Sequence, residues 1–155
     1  MGNFPHTLDE KGRVIIPRKY RDEIATKESS TGLVVTMSPE NCLFLYTENH
    51  WEELNARQEA QNKGSQEFWK FQRWFHANAE SLNPDKQGRV LIPERLRTLA
   101  KIEREIVFAG CFDRIEVWPR GDWETAQQEA WKAYGDNVGV YLAGGPPGEG
   151  DPSAS

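Results

Sequence analysis

The chain has 155 residues, of which 37% are hydrophobic and 28% charged, and its net charge is −5. This length suits about one domain, and the absence of any run of roughly 18 apolar residues excludes a membrane-spanning helix. No apolar leader peptide precedes the first polar residues, so we expect a cytoplasmic protein.

The first predicted element is a tight turn that leads into a short strand. Asp9 and Gly12 occupy the first and fourth turn positions, where Asp accepts backbone hydrogen bonds and Gly adopts a conformation that a Cβ would disfavour. The apolar residues 14–16 that follow predict a buried strand. Pro17 ends the strand and is typical of the first turn of a short helix.

A hairpin and two helices come next. Residues 33–37 (LVVTM) and 43–46 (LFLY) flank the turn sequence SPEN, which is typical of a β-hairpin. Helical patterns then cover 48–63 and 65–79, and the second carries more aromatic surface than one helix face can hold: Phe68, Trp69, Phe71, Trp74 and Phe75. We expect most of these rings to pack on the core and the surplus to meet a neighbouring subunit.

The same elements then recur. Residues 85–97 repeat 9–21 at an offset of 76, with seven of thirteen positions identical. The hairpin recurs at an offset of 72, as 106–109 and 115–118, and Trp123 repeats Trp51 at the start of a helix over 120–134. The last residues, GGPPGEGDPSAS, have a composition typical of disorder.

Neither repeat is long enough to hold a good core alone, so we expect the two to intertwine. The simplest result is an α+β, β-rich fold: a pseudo-twofold β-barrel built by both repeats, with flanking helices and both turns close together on one face. The predicted divisions are repeat 1 at 4–50, connecting helices at 51–78, repeat 2 at 79–122, a C-terminal helix at 123–134 and a disordered tail at 135–155.

Positive charge is concentrated in the repeated motif. Lys and Arg exceed Asp and Glu by three in 9–21 and by two in 85–97, which leaves −10 for the rest of the chain. A basic patch on an acidic body is compatible with docking on a polyanion, and equally with two solvated turns. Charge alone does not separate these alternatives.

The doubled pattern Asp-x-x-Gly-Arg-x-x-x-Pro-x-x-x-Arg, first seen in HTLDEKGRVIIPRKYR, resembles the MraZ family of bacterial transcriptional regulators. More distantly it resembles AbrB-type swapped-hairpin DNA-binding domains. The similarity covers about residues 4–134. It implies a ring-shaped homo-oligomer that binds direct repeats of double-stranded DNA upstream of the division and cell-wall gene cluster, including its own promoter, and hence a place at the nucleoid.

The resemblance also implies a set of DNA-binding residues, carried over by their place in the motif: Lys11, Arg13, Arg21, Lys86, Arg89 and Arg97. Lys11 corresponds to Gln87 and Lys86 to Glu10, so the two halves cannot make identical contacts. Arg13 and Arg89 are therefore the stronger candidates, and a guanidinium there matches guanine O6 and N7. Arg21 and Arg97 could equally pair with the turn aspartates as braces.

Three other functions compete with this one. An AbrB-like antitoxin or autorepressor would use the same fold, although duplication within one chain disfavours it. An enzyme would need Asp9, Asp85 or His6 in acid–base or metal chemistry, but the turn explains both aspartates, and no phosphate loop or metal spacing is present. Cys42 and Cys111 also lack such a spacing. We therefore predict no catalytic residue, metal or cofactor. An oligomeric scaffold without DNA is the third alternative.

Overall fold

The computed structural model describes residues 2–27, 32–61 and 64–144. The chain forms two compact units, Met1–Arg120 and Gly121–Ser155. The first contains both repeats and the helices between them. No helix in the described ranges is both long enough and apolar enough to cross a membrane.

The first repeat and the two helices after it comprise seven elements: β1 (Asn3–Thr7), β2 (Arg13–Ile15), α1 (Arg18–Lys27), β3 (Leu33–Met37), β4 (Leu43–Thr47), α2 (Glu48–Glu59) and α3 (Gln66–Ala77). Both α2 and α3 begin at a hydroxyl cap. Thr47 accepts a hydrogen bond from the His50 N–H, and Ser65 accepts one from Phe68 N–H at 3.0 Å.

The second repeat follows the same order and ends in two helices: β5 (Glu80–Leu82), β6 (Arg89–Leu91), α4 (Glu94–Leu99), β7 (Glu105–Cys111), β8 (Arg114–Pro119), α5 (Arg120–Tyr134) and α6 (Val138–Leu142). Within the second unit, the rings of Tyr134 and Tyr141 pack edge to face with their centroids 4.7 Å apart.

Strands of one repeat pair with strands of the other. Six strands form one antiparallel sheet in the order β1-β7-β8-β4-β3-β5, while β2 and β6 form a separate two-stranded ribbon. The counterparts in the two repeats are β1 and β5, β3 and β7, and β4 and β8. When each strand is replaced by its counterpart, the result is the same six-strand order read from the opposite end. This symmetric strand order demonstrates the pseudo-twofold relation between the repeats and confirms the predicted AbrB-like, intertwined α+β fold.

Both sheets contribute to one hydrophobic core. Val14 and Val90 extend into it from the ribbon, and Leu45, Phe108 and Val117 from the larger sheet. The predicted barrel corresponds to these two sheets around a shared core. The recorded strand order ends at β1 on one side and β5 on the other, so closure between those two strands stays a prediction.

The helices and hairpins agree closely with the predictions, whereas β1 and β5 were missed. Pro5 lies inside β1, and proline normally argues against a strand because it cannot donate to the ladder. Proline is tolerated there because β1 stands at one end of the strand order and, in the part of the chain that the structure describes, has β7 as its neighbour on one side. β5 is only three residues long, too short for a recognisable pattern.

The predicted disordered tail, 135–155, overlaps a structured segment. Residues 138–142 form the short helix α6, so the described part of the chain departs from the prediction there. Residues 145–155, which contain most of the Gly- and Pro-rich sequence, lie outside the described residues.

Candidate nucleic-acid interface

The turn of the first repeat is held by the Asp9 carboxylate. Gly12 N–H donates to the Asp9 carbonyl at 3.0 Å, and Asp9 Oδ1 accepts the backbone N–H groups of Lys11 and Arg13, each at 2.9 Å. Gly12 has φ +83°, a conformation in which a side chain is strained. The turn therefore depends on both the aspartate and the glycine, which recur in each copy of the motif.

The second turn repeats this geometry. Asp85 Oδ1 accepts the N–H groups of Gln87 and Arg89 at 2.9 Å, the Asp85 carbonyl accepts the Gly88 N–H at 2.9 Å, and Gly88 has φ +77°. The change from Lys11 to Gln87 does not alter the turn, because only the backbone of that residue takes part.

Each turn aspartate also fixes the arginine that follows the glycine. Arg13 Nε donates to Asp9 Oδ2 at 2.8 Å, and Arg89 Nε donates to Asp85 Oδ2 at the same distance. About one third of each guanidinium side chain is exposed, 34% for Arg13 and 30% for Arg89. The terminal Nη groups of both have no hydrogen-bond partner among the described residues, so they are available to an acceptor outside the chain.

The same contacts alter the acidity of the aspartates. The backbone N–H of Arg13 holds the pKa of the Asp9 carboxyl below its ordinary value, and the Arg13 side chain acts in the same direction. Arg89 lowers the pKa of Asp85 in the same way, again chiefly through its backbone N–H. Both carboxylates are therefore ionised at neutral pH, and they are engaged in the turn rather than available as acid–base catalysts.

The ribbon places the two arginines on one face. Val14 pairs with Val90 at its centre, Arg13 with Leu91 and Ile15 with Arg89. Side chains alternate along a strand, so the buried valines put the residues on either side of them on the opposite, outer face. Arg13 and Arg89 are diagonal neighbours there, about 7–8 Å apart at the backbone.

Arg21 and Arg97 contact the turn of the opposite repeat. A Cβ built on Gly12 would lie 2.5 Å from Arg97 Cζ, and one built on Gly88 would lie 2.7 Å from Arg21 Cδ. The alternative in which these two arginines pair with the turn aspartates is therefore wrong, because Arg13 and Arg89 hold those carboxylates. Arg21 and Arg97 still brace the turns, through the glycines.

The remaining motif cations lie at the surface. Lys11 and Lys86 are exposed, one on each turn. Arg18 lies 3.8 Å from Asp22, and Arg95 contacts Glu80 at 3.2 Å, so both are engaged in exposed ion pairs. Such pairs exchange readily with solvent and leave the cations able to approach a phosphate.

Two residues of this surface were not predicted. Residues 14–16 were expected to form a buried strand, yet Ile15 is 44% exposed, and its counterpart Leu91 is 53% exposed. The expectation was correct for their neighbours and wrong for these two. The signal was present in the sequence, since an outward arginine at one strand position directs the residue two positions later outward as well.

The expectation that most of the α3 rings pack on the core is wrong, because Phe75 is the only buried ring of the five, Phe68 is partly buried, and Trp69, Phe71 and Trp74 are exposed. Phe75 is buried and stacks on Phe71 with ring centroids 5.3 Å apart, whereas Trp69 and Trp74 are 49% and 38% exposed. A cleft of about 580 Å³ separates α2 from α3 and is lined by Phe68, Trp69, Gln72, Asn55 and Gln58, among others.

Comparison with known proteins identifies the family. The family model described as "MraZ protein, putative antitoxin-like" matches residues 1–72 and 75–135. A "Transcriptional regulator MraZ" of Thermoanaerobacter sp. (strain X514) is 39% identical over 140 residues, which cover 90% of this chain and 89% of the relative.

Two further relatives carry the same name. The protein of Carboxydothermus hydrogenoformans is 37% identical and that of Moorella thermoacetica 35% identical, each over 134 residues that cover 86% of this chain and 90% of the relative. The name describes a regulatory role rather than an enzymatic one, in agreement with the prediction that the chain is not an enzyme. The matches span both repeats, and the chain belongs to the MraZ family.

Proposed function

We propose that the chain is a sequence-specific DNA-binding transcriptional regulator that acts at the nucleoid. It binds direct repeats in promoter DNA upstream of the division and cell-wall gene cluster, including its own promoter, as a ring-shaped homo-oligomer. The names of its relatives support a regulator of transcription. The contact with DNA is argued from the geometry of the ribbon.

The observation that carries the proposal is the pair of pre-oriented guanidinium groups. Arg13 and Arg89 share the outer face of a two-stranded ribbon. Each is held through its Nε by a turn aspartate, which leaves the Nη groups available to bind an acceptor on the DNA. A two-stranded ribbon fits the major groove, where an arginine fork matches guanine O6 and N7. Fixing the side chain beforehand reduces the entropy lost on binding.

The flanking cations add affinity without sequence preference. Lys11 and Lys86 are exposed near Arg13 and Arg89, which we call the reading arginines, and both lysines are suited to phosphate contacts. Arg21 and Arg97 act through the turns that they brace, so their part in DNA binding is to hold the reading arginines in place. The flanking lysines and the bracing arginines therefore complete the proposed interface around Arg13 and Arg89.

Oligomerisation would compensate for the small footprint of one chain. A single ribbon offers only two arginines, whereas linked subunits engage successive repeats at high effective concentration. The exposed rings of Trp69 and Trp74 on α3 support a subunit contact, because aromatic residues are enriched at interfaces.

The test is binding to the DNA upstream of the protein's own coding sequence. Arg13→Ala and Arg89→Ala are each expected to weaken binding by about fivefold to 150-fold, since a good arginine–guanine pair contributes roughly 1–3 kcal/mol. The matched control, Arg57→Ala, removes the same charge from an exposed ion pair with Asp113 and should leave binding unchanged. Binding by either ribbon variant at wild-type strength would remove that arginine from the interface.

An autorepressor of the antitoxin kind is a second candidate, favoured by the antitoxin-like description of the family. It predicts a toxin gene next to the coding sequence, whereas the main proposal predicts division and cell-wall genes. A scaffold that does not bind DNA is tested by the same titration. A DNA-binding protein shows a slope of log affinity against log salt that steepens by about 0.9 for each phosphate neutralised, and a scaffold shows none.

A further inference from the structure

Two apolar side chains stand between the reading arginines and have no place in the function argued so far. Ile15 and Leu91 lie on the outer face of the ribbon, 44% and 53% exposed. Their neighbours Val14, Ile16 and Val90 are buried, so the ribbon does not need these two residues for its core.

The strand register places four outer side chains at the corners of a quadrilateral. The two arginines lie on one diagonal, and Ile15 and Leu91 lie on the other. Arg13 faces Leu91 across the ribbon and Ile15 faces Arg89, so each apolar residue has an arginine directly opposite. Facing residues lie about 4.5–5.5 Å apart, and residues two apart on one strand lie about 6.6 Å apart. The patch is therefore only about two base-pair steps long, because stacked base pairs repeat at roughly 3.4 Å.

The chemistry of the patch favours the major groove over a protein partner. A stable protein interface engages about 20–30 residues on each side, and this patch has two apolar side chains bounded by fixed cations. The major groove, in contrast, presents a guanine acceptor pair and a thymine 5-methyl group on neighbouring base pairs. A methyl group is the size of ligand that an isolated Ile or Leu side chain can cover.

We propose that Ile15 and Leu91 contact thymine 5-methyl groups next to the guanines bound by Arg89 and Arg13. The ribbon then distinguishes a thymine from a cytosine at positions that no hydrogen bond of the protein reads. This inference rests on the proposed function, because it requires the ribbon to lie in a major groove. It assigns specificity to residues outside the charged part of the motif.

The test removes the methyl groups from the DNA without changing its hydrogen bonding. The duplex upstream of the coding sequence is prepared once with thymine and once with uracil in its place. Wild-type protein is expected to bind the uracil duplex more weakly, by about fourfold for each methyl group that it buries. The double variant Ile15→Ala/Leu91→Ala is expected to bind the thymine duplex more weakly than wild type and to bind both duplexes equally.

Leu99→Ala provides the matched control. Leu99 is 48% exposed at the end of α4 and belongs to neither ribbon strand, so this variant should keep the full difference between the two duplexes. The single variants Ile15→Ala and Leu91→Ala should each lose part of that difference. They also serve if the double variant folds poorly.

The outcomes separate the two proposals. Equal binding of both duplexes by wild-type protein, with Arg13→Ala and Arg89→Ala still weakened, overturns the methyl contact and leaves the proposed function intact. A difference between duplexes that persists in the double variant also overturns it, since DNA shape would then be the cause. Failure of wild-type protein to bind either duplex defeats the proposed function itself.

Discussion

Arg97 of the second repeat lies against Gly12 of the first, with its Cζ 2.5 Å from the point where a Cβ on that glycine would stand. The symmetric contact joins Arg21 and Gly88. Each turn is thus closed by its own aspartate and covered by an arginine from the other repeat. The last arginine of each motif copy therefore packs against the turn glycine of the other copy, so each repeat contributes to the turn of its counterpart.

Replacing either turn glycine should destabilise the fold. Gly12→Ala forces a side chain into a positive φ and against Arg97, and we expect the free energy of unfolding to fall by about 1–3 kcal/mol in urea titrations. Gly121→Ala is the control, because a Cβ there meets nothing within 4 Å, and it should leave stability unchanged or raise it by up to about 1 kcal/mol. Equal stability of wild type and Gly12→Ala would contradict the contact.

The two covering arginines differ in one hydrogen bond, and their variants should differ accordingly. Arg97 Nε donates to the carbonyl of buried Ile92 at 2.9 Å, whereas Arg21 Nε is buried without a partner among the described residues. Arg97→Met leaves a buried carbonyl unsatisfied, while Arg21→Met removes an unsatisfied donor. We therefore expect Arg97→Met to cost about 1–2 kcal/mol more in urea unfolding, and the opposite order would refute this account.

Acid should weaken the turns in a defined pH window. Asp9 and Asp85 have folded pKa values below the 3.8 of a free aspartate, so the stability they contribute is fully present above about pH 5 and is lost as the pH falls through the folded values. In Asp9→Asn/Asp85→Asn this contribution is absent at every pH. The stability difference between wild type and this variant should therefore be constant above about pH 5 and shrink below pH 3.8.

The same variant tests whether the aspartates orient the arginines. An Asn side chain can still accept the backbone N–H groups of the turn, but its amide offers no carboxylate to Arg13 Nε. DNA binding at neutral pH should weaken although both arginines remain. Glu105→Gln removes an exposed carboxylate that contacts Arg120, and as the control it should bind normally.

Local patterns in the sequence predicted most of this architecture. The turn, the ribbon strand and both hairpins each carry a short-range signal, and the repeat offset showed which elements correspond. The pairing of β1 with β7 depends on residues about 100 positions apart, such as Pro5 and Val107, and no local pattern encodes it. Predicting that strand would have required knowledge that it lies at an edge.

The candidate site was only partly predictable for the same reason. The motif identified Arg13 and Arg89, and alternation along the strand could have identified Ile15 and Leu91. The position of Arg97 over Gly12 could not be predicted, because it follows from the pairing of Gly12 with Ile92 across two repeats. The separation of Gly12 and Arg97 along the sequence does not reveal their contact until the register of the ribbon is known.

The aromatic face of α3 should decide the oligomeric state. Trp69→Ala and Trp74→Ala each remove a ring that is 49% and 38% exposed respectively, so the subunit should stay folded while the assembly weakens. Light scattering coupled to size exclusion should show a smaller particle, with the far-UV circular dichroism of the fold retained.

DNA binding by the same variants then tests the linkage between assembly and affinity. With every arginine in place, a dissociated variant should lose roughly 10²–10⁴-fold in affinity for a duplex with several repeats, because linked contacts become independent ones. Lys70→Ala on the same helix, which breaks only an exposed pair with Glu67, should keep both assembly and affinity. A smaller particle that binds as tightly as wild type would show that one ribbon is sufficient, and the role proposed for the ring would be wrong.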